Sequence, residues 1–111
     1  MLSTLSVIMV TSKQKKRFRA IGHNLKPVVT IANDTVSQSV NIEIDRALRD
    51  HELVKIKVSV NARSVKKDLI KDIVKKHDST LIQLIGNVAL IYREAKKPNP
   101  LLSNILRSNV F

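Results

Sequence analysis

The chain has 111 residues, which leaves room for one ordinary domain with short tails and excludes several domains within it. Hydrophobic residues make up 43% and charged residues 26% of the sequence, so a packed core is expected and a wholly disordered chain is excluded. Twenty Lys and Arg against nine Asp and Glu give a net charge of +11, which favours polyanions or acidic surfaces as partners.

The absence of cysteine excludes disulfides and thiolate chemistry and predicts a cytoplasmic location. The apolar run from Met1 to Val10 is far shorter than the roughly 20 residues that a membrane helix needs, and no base precedes it as in a secretory signal. We therefore expect no membrane association. Residues 1–11 are expected to form a disordered extension, with translation from Met9 as an open alternative.

The N-terminal third is a basic block, because residues 1–33 contain six bases and no acid. Thr11 and Gln14 have the spacing of a capping box, and Gln14, Phe18 and Ile21 recur on one helical stripe. This pattern predicts a helix from Ser12 to Gly22 with one side on the core and a cationic side outward. The six bases are Lys13, Lys15, Lys16, Arg17, Arg19 and Lys26.

Two strands and a second helix are predicted next. Val28 to Ile31 follow a proline and are mostly β-branched, which is typical of a short buried strand. Ser37 is placed to cap an amphipathic helix that runs to about residue 50. The clean alternation from Leu53 to Val60 predicts a strand with one apolar face and a basic outer face that carries Lys55 and Lys57.

A third helix and a hairpin complete the predicted domain. Ser64 is placed to cap the helix, whose apolar stripe alternates with lysines. Thr80–Ile85 and Val88–Tyr92 flank Gly86-Asn87, a pair typical of a tight hairpin. The predicted order is α-β-α-β-α-β-β in one α/β domain over residues 12–95, followed by a C-terminal tail over residues 96–111 without regular structure.

Groups that could support catalysis do not cluster in the sequence. The histidines lack the spacing of a metal site, and each is expected to act as a helix cap or to lie on the surface. Glu43 and Asp45 point to different faces of a helix, and Asp50 and Glu52 span a turn where solvation is expected. We therefore predict no enzyme, metal or cofactor, and a hydrolase acting on RNA is disfavoured. The histidines are His23, His51 and His77.

Nucleic-acid binding suits the composition better than catalysis does, and the few aromatic residues restrict the possible binding mode. There are three of them, and Phe18 and Tyr92 fall on predicted core faces while Phe111 lies in the tail. Stacking of bases on aromatic side chains is therefore disfavoured, and contacts to phosphates of structured RNA are favoured. A lysine-rich helix face is often merely solvated, but solvated faces usually mix signs and the N-terminal block contains no acid.

Six blocks of the sequence, in this order and spacing, resemble a known family. They are Lys13-Gln14-Lys15, Ala20 to Val29, Glu43 to Leu48, His51 to Lys57, Leu84-Ile85-Gly86 and Ile91-Tyr92-Arg93. The family is the CRM domain, named for chloroplast RNA splicing and ribosome maturation, and the chain is similar to its small stand-alone bacterial members, the YhbY-like proteins. The resemblance covers about Ser12 to Arg93.

The resemblance implies a compact α/β domain with a four-stranded mixed sheet, similar to the C-terminal domain of translation initiation factor three. It also implies an RNA-binding role. For the bacterial members it implies association with precursors of the large ribosomal subunit.

The sequence departs from the family pattern in the loop after the first strand. The family places a Gly-x-x-Gly loop there, where this chain has Ala32-Asn33-Asp34-Thr35. Glycine allows positive φ and lets a phosphate approach backbone N–H groups, whereas Asp34 adds a negative charge. Asn33 tolerates left-handed geometry, so the turn is expected to survive with a weaker RNA contact. Asn87 also replaces the lysine that the family carries after the hairpin glycine.

We expect phosphate contacts from the first helix, the start of the first strand, the altered loop and the second strand. The expected partner is structured RNA, specifically ribosomal RNA in an assembling large subunit, bound by a monomer. The alternative is a basic interaction module that docks on an acidic ribosomal or RNA-processing protein. The candidate contact residues are Lys13, Lys16, Arg17, Lys26, Asn33, Lys55 and Lys57.

Overall fold

Three helices and four strands, in the order α-β-α-β-α-β-β, lie within residues 10–108, which are the residues that the computed structural model describes. The predicted α/β class and element order are confirmed. Within these residues no helix is long and apolar enough to cross a membrane. The predictions for residues 1–9, for Met9 as a start and for Phe111 lie outside this range. The elements are α1 (Ser12–Gly22), β1 (Pro27–Ile31), α2 (Gln38–His51), β2 (Leu53–Val58), α3 (Arg63–Lys76), β3 (Thr80–Ile85) and β4 (Val88–Tyr92).

The starts of α1 and α2 follow the predicted polar caps. Gln14 N–H donates to Thr11 Oγ1 at 3.1 Å, and Thr11 N–H donates to Gln14 Oε1 at 2.9 Å, which completes the capping box. Ser37 Oγ accepts from Val40 N–H at 3.2 Å at the start of α2. Each cap satisfies backbone donors that have no partner within the helix.

The prediction that Ser64 caps the third helix is wrong. The helix begins at Arg63, the capping position is Ala62, and no side chain there accepts a hydrogen bond. Ser64 lies inside the first turn because Val65, which follows it, already packs against the core in helical conformation. Packing of the apolar stripe therefore sets the start of α3, rather than a polar cap.

The strands form one sheet in the order β1-β2-β4-β3, in which β1 and β2 are parallel and the other neighbouring pairs are antiparallel. We call the end where β1 and β2 finish the upper end of the sheet and the opposite end the lower end. Because β1 and β2 are parallel, α2 and α3 both begin at the upper end and finish at the lower end. The loop over residues 32–35 also lies at the upper end.

Helices cover both faces of the sheet, and each face has its own hydrophobic cluster. On one face α2 and α3 pack against alternate strand residues, including Ile56 and Ile91. On the other face Phe18 of α1 joins a cluster with Leu53 and Leu90. Full burial of such a side chain stabilises the fold by about 1.5–3 kcal/mol, so the two clusters are the main source of stability.

The predicted alternation of β2 is confirmed on the face that α2 and α3 cover. The strand ends at Val58 rather than Val60, because β1 ends at Ile31, the register partner of Val58. The other face, predicted to be a basic outer face, is open only in part because α1 packs over its lower half. Leu53 is fully buried there, whereas Lys57 is exposed.

Both glycines occupy positions where a side chain would be strained. A Cβ atom at Gly22 would lie 2.6 Å from Leu90 Cδ2, so α1 approaches the sheet closely at this point. Gly86 has a φ of +57°, which suits the tight turn between β3 and β4.

The residues after β4 fold back onto the lower end of the sheet, where the sequence predicted only an irregular tail. Ser103 is fully buried and donates to Glu52 Oε1 at 2.6 Å, and Ala95 N–H donates to Glu52 Oε2 at 2.8 Å. The expectation that Glu52 is solvated is therefore wrong, since its residue is 4% exposed. Its φ of +64° is a left-handed conformation that strains such a residue by about 1–3 kcal/mol.

Candidate nucleic-acid interface

The outward side of α1 is cationic. The buried residues of this helix are Phe18, Ile21 and Gly22, so its other side faces away from the sheet. Lys13 and Lys16 are exposed on it, and no acid occurs between residues 10 and 33. An acid-free surface of this kind attracts polyanions, because no neighbouring carboxylate in the segment offsets the field.

Lysines of β2 lie on the same side of the sheet as α1. Lys55 and Lys57 follow Leu53 at steps of two residues, and Leu53 packs in the cluster with Phe18 of α1, so all three side chains project from this face. Lys55 is half-buried and pairs in register with Pro27, and the exposed Lys26 comes directly before Pro27. The structure thus places Lys26 beside the β2 lysines. We call Lys13, Lys16, Lys26, Lys55 and Lys57 the α1-side surface.

Arg17 differs from the other predicted contacts, because its guanidinium is engaged within the protein. The Arg17 Nη2 group donates to the backbone oxygen of Ile105 at 3.2 Å, and the residue is half-buried. Arg17 therefore links α1 to the C-terminal residues.

The altered loop lies exposed at the upper end of the sheet, between β1 and α2. None of its four residues has a positive φ: among residues 10–108, the non-glycine residues with positive φ are Glu52 and Asp78. Asn33 consequently does not use the left-handed conformation that it tolerates. The conformation of this loop in the present chain therefore requires no glycine at residues 32–35.

The start of α3 adds two cations that were not among the predicted contact residues. Arg63 and Lys66 lie in its first turn, no acid accompanies them, and Ala62 provides no cap. Backbone N–H groups at a helix start carry partial positive charge, so these cations oppose the helix dipole. Both bases are visible in the sequence, but the prediction that Ser64 caps the helix placed Arg63 outside it.

The described aromatic residues are packed inside the domain, as predicted. Phe18 and Tyr92 have ring centroids 4.6 Å apart and an interplanar angle of 36°. Burial, followed by the charges of Glu52 and Glu94, raises the pKa of Tyr92 to about 12. Phe18 is buried and Tyr92 is half-buried, and the two rings pack against each other, so base stacking on them is disfavoured.

A hydrogen-bond network at the lower end joins α2, α3 and the residue after β4. Arg93 Nη1 donates to Asp45 Oδ1 at 2.9 Å, and its Nη2 donates to the Asp45 backbone oxygen at 3.0 Å. His77 Nε2 donates to Asn41 Oδ1 at 3.0 Å. Burial, followed by the charge of Arg93, lowers the pKa of His77 below its ordinary value of 6.5. An open cleft of about 750 Å³ beside the network carries both acids and bases.

The histidines play local structural roles. His23 is exposed at the end of α1, as predicted, and His51 Nδ1 donates to the Leu102 backbone oxygen at 2.8 Å. His77 ends α3 as its cap, as predicted, and it is only 7% exposed. Across residues 10–108 no three His, Cys, Asp or Glu side chains are grouped in a way that could hold a metal ion.

Comparisons with known proteins agree with this architecture. The model of the CRS1/YhbY (CRM) domain family matches residues 10–93. "Probable RNA-binding protein PA4753" of Pseudomonas aeruginosa is 44% identical over 98 residues, which cover 88% of this chain and 94% of that protein. An "RNA-binding protein" of Haemophilus influenzae is 33% identical over 88 residues, which cover 79% of this chain and 89% of that protein.

A solved structure is also similar. The "Solution structure of the hypothetical protein SAV1595 from Staphylococcus aureus, a putative RNA binding protein" superposes with a TM-score of 0.70 at 35% sequence identity. The match covers 80% of this chain and 93% of that one. The similarity therefore extends over nearly the whole of the solved chain.

Proposed function

The chain belongs to the CRS1/YhbY (CRM) domain family, and from this membership we propose that it binds structured RNA. The observation that carries the proposal is the α1-side surface, where an acid-free basic helix lies on the same side of the sheet as Lys55 and Lys57. A merely solvated helix would mix signs, as α2 does with Glu43, Asp45 and Arg46. The RNA-binding names of the relatives support the same conclusion.

The proposed binding mode is contact with the phosphate backbone. The packed aromatic rings disfavour base stacking, and exposed lysines together with helix starts favour anions. The histidines and carboxylates of the described residues serve structural roles or lie apart, and the family is an RNA-binding domain rather than an enzyme class. We therefore propose binding without chemistry of its own.

The proposal also covers the RNA target and the cellular location. We propose that the target is ribosomal RNA in precursors of the large subunit, bound in the cytoplasm by a monomer that acts as an assembly factor. The resemblance of the sequence to the bacterial CRM proteins supports this extension. The competing function is docking on an acidic protein, which the same positive charge would also favour.

Binding of naked RNA in a salt series tests the first part of the proposal. Neutralising about six phosphates predicts a log–log salt slope near −4 to −5. In Lys13→Ala with Lys16→Ala, the magnitude of that slope should fall by about two, and affinity should fall for every RNA alike. The free energy of unfolding should change little, because exposed charges contribute little to stability.

The matched control removes two exposed bases from the outer side of α3, Lys71→Ala with Lys75→Ala, where Asp68 and Asp72 lie close in sequence. This control should keep most of the affinity. An equal loss in both double variants would show a response to net charge rather than to the α1-side surface. Salt-independent binding, or none to RNA at moderate salt, would favour the protein-docking alternative.

The identity of the RNA requires a separate experiment. Crosslinking in cells, followed by sequencing of the bound RNA, should recover large-subunit ribosomal RNA above small-subunit RNA of similar abundance. The Lys13→Ala, Lys16→Ala variant, expressed at the same level, should recover less of it. Recovery of both ribosomal RNAs in proportion to abundance would contradict the assembly role and leave general RNA binding.

A further inference from the structure

The C-terminal segment, residues 99–108, is bonded to the junction of α2 and β2 and lies beyond the family match over residues 10–93. Asn104 N–H donates to the His51 backbone oxygen at 2.9 Å, and Asn104 Nδ2 donates to the Leu53 oxygen at 2.7 Å. His51 Nδ1 returns a bond to the Leu102 oxygen at 2.8 Å. These bonds run in both directions, so they set the position of the segment along the lower end.

A buried carboxylate anchors this segment. Glu52 accepts from Ser103 Oγ at 2.6 Å, and both residues are almost completely buried. Ser103 Oγ in turn accepts from the N–H groups of Ile105 and Leu106, each at 3.2 Å. Glu52 keeps this role although its backbone is left-handed, which indicates that its side-chain bonds offset a local strain.

The same segment reaches the basic helix. Ile105 packs against the α1 cluster, and its backbone oxygen accepts from Arg17 Nη2 at 3.2 Å. The buried residues of α1 all lie in its second half; they are Phe18, Ile21 and Gly22. Arg17 and the half-buried Val10 link the first half of α1, which carries Lys13 and Lys16, to the rest of the domain.

We propose that the C-terminal segment positions the first half of α1 for RNA binding, with Glu52 and Ser103 as its positioning residues. This inference rests on the proposed function. A helix held in place presents Lys13 and Lys16 in one arrangement, whereas a loosened helix must be ordered when RNA binds and so binds more weakly. Arg17 serves as the link between the two elements.

Ser103→Ala tests the inference, because it removes the bond to Glu52 without changing charge. Amide exchange of residues 15–18 should accelerate about tenfold relative to residues 44–48 of α2 in the same variant. Affinity for a large-subunit ribosomal RNA fragment should fall about threefold. Leu101→Ala is the matched control in the same segment, since Leu101 is 80% exposed, and it should leave both quantities unchanged.

A double-variant cycle separates positioning from general loss of stability. In the Lys13→Ala, Lys16→Ala background, Ser103→Ala should cause no further loss of affinity, because the cations that it positions are gone. The same threefold loss in that background would overturn the inference, as would equal acceleration of exchange in α1 and α2.

Two further results remain decisive. If Ser103→Ala does not fold, Asn104→Ala, which keeps the bond between Glu52 and Ser103, carries the same expectations. If the parent protein does not bind RNA, the proposed function fails and so does the RNA part of this inference. The exchange measurement on α1 would then still decide whether the segment positions the helix.

Discussion

The ends of α2 and α3 and the starts of α1 and α3 are all rich in bases, but the bases have opposite effects on the helices. Cations in a last turn interact favourably with the helix dipole, by about 0.3–1 kcal/mol each, and cations in a first turn oppose it. No acid lies in the first turn of any of these helices. The last turns hold Arg49, His51, Lys75 and Lys76, whereas the first turns hold Lys13, Lys15, Arg63 and Lys66.

This difference separates the bases that stabilise the folded chain from those that do not. Bases at the helix ends stabilise the folded chain and need no ligand. Bases at the helix starts weaken the helices slightly, yet they attract anions together with the backbone N–H groups beside them. Net charge alone would treat both groups as one basic surface, whereas the helix dipole distinguishes them, because only the bases at the helix starts lie beside the positive ends of helices.

The largest expected effect contrasts two neighbours in β2. Ile56 is 1% exposed, so Ile56→Ala should lower the free energy of unfolding by about 2–5 kcal/mol. Lys57→Ala should lower it very little while reducing RNA affinity, since Lys57 is exposed on the α1-side surface. Chemical denaturation and a binding titration on both variants check this. The reverse order of stabilities would mean that the two faces of β2 are exchanged.

Arg93→Ala should have the next largest effect, at the lower end. Arg93 donates to Asp45 and to the His77 backbone oxygen, and its loss should destabilise the fold by about 1–3 kcal/mol. RNA affinity, measured well below the melting temperature, should stay within about twofold of the parent. A strong loss of affinity at unchanged stability would place Arg93 in the interface and extend that interface beyond the α1-side surface.

Local patterns predicted most of the fold, and long-range contacts explain what they missed. The capping box at Thr11 and the alternation of β2 act over a few residues, so the sequence shows them directly. Glu52 and Ser103 lie 51 positions apart, and nothing near either residue indicates that they bond. The sequence likewise indicated which bases were candidates but not that Arg17 would be bonded to Ile105.

A smaller effect should come from capping α3. Ala62→Ser supplies the missing acceptor and should raise the free energy of unfolding by about 1 kcal/mol, while Ser37→Ala at α2 should lower it by a similar amount. Thermal unfolding of the two variants measures both. If Ala62→Ser gives no gain, the missing cap does not limit the stability of α3 at its start.

The smallest expected effect is a pH dependence from His77 at the lower end. Because burial and Arg93 lower its pKa below 6.5, the unfolded chain takes up the proton more readily than the folded one. The stability that His77 contributes is therefore present above pH 6.5 and declines as the pH falls through its folded pKa. The charge of Asp45 raises the pKa of His77, whereas the charge of Lys76 lowers it, as that of Arg93 does.

Denaturation curves between pH 5 and pH 7.5 should show this decline in the parent protein and a flatter profile in His77→Gln, whose amide can still donate to Asn41. His23→Gln, at an exposed position, is the matched control and should follow the parent. RNA affinity at constant salt should show no matching step from His77, because its ring is bonded within the lower-end network. A profile that stays equally steep in His77→Gln would assign the pH dependence to other groups.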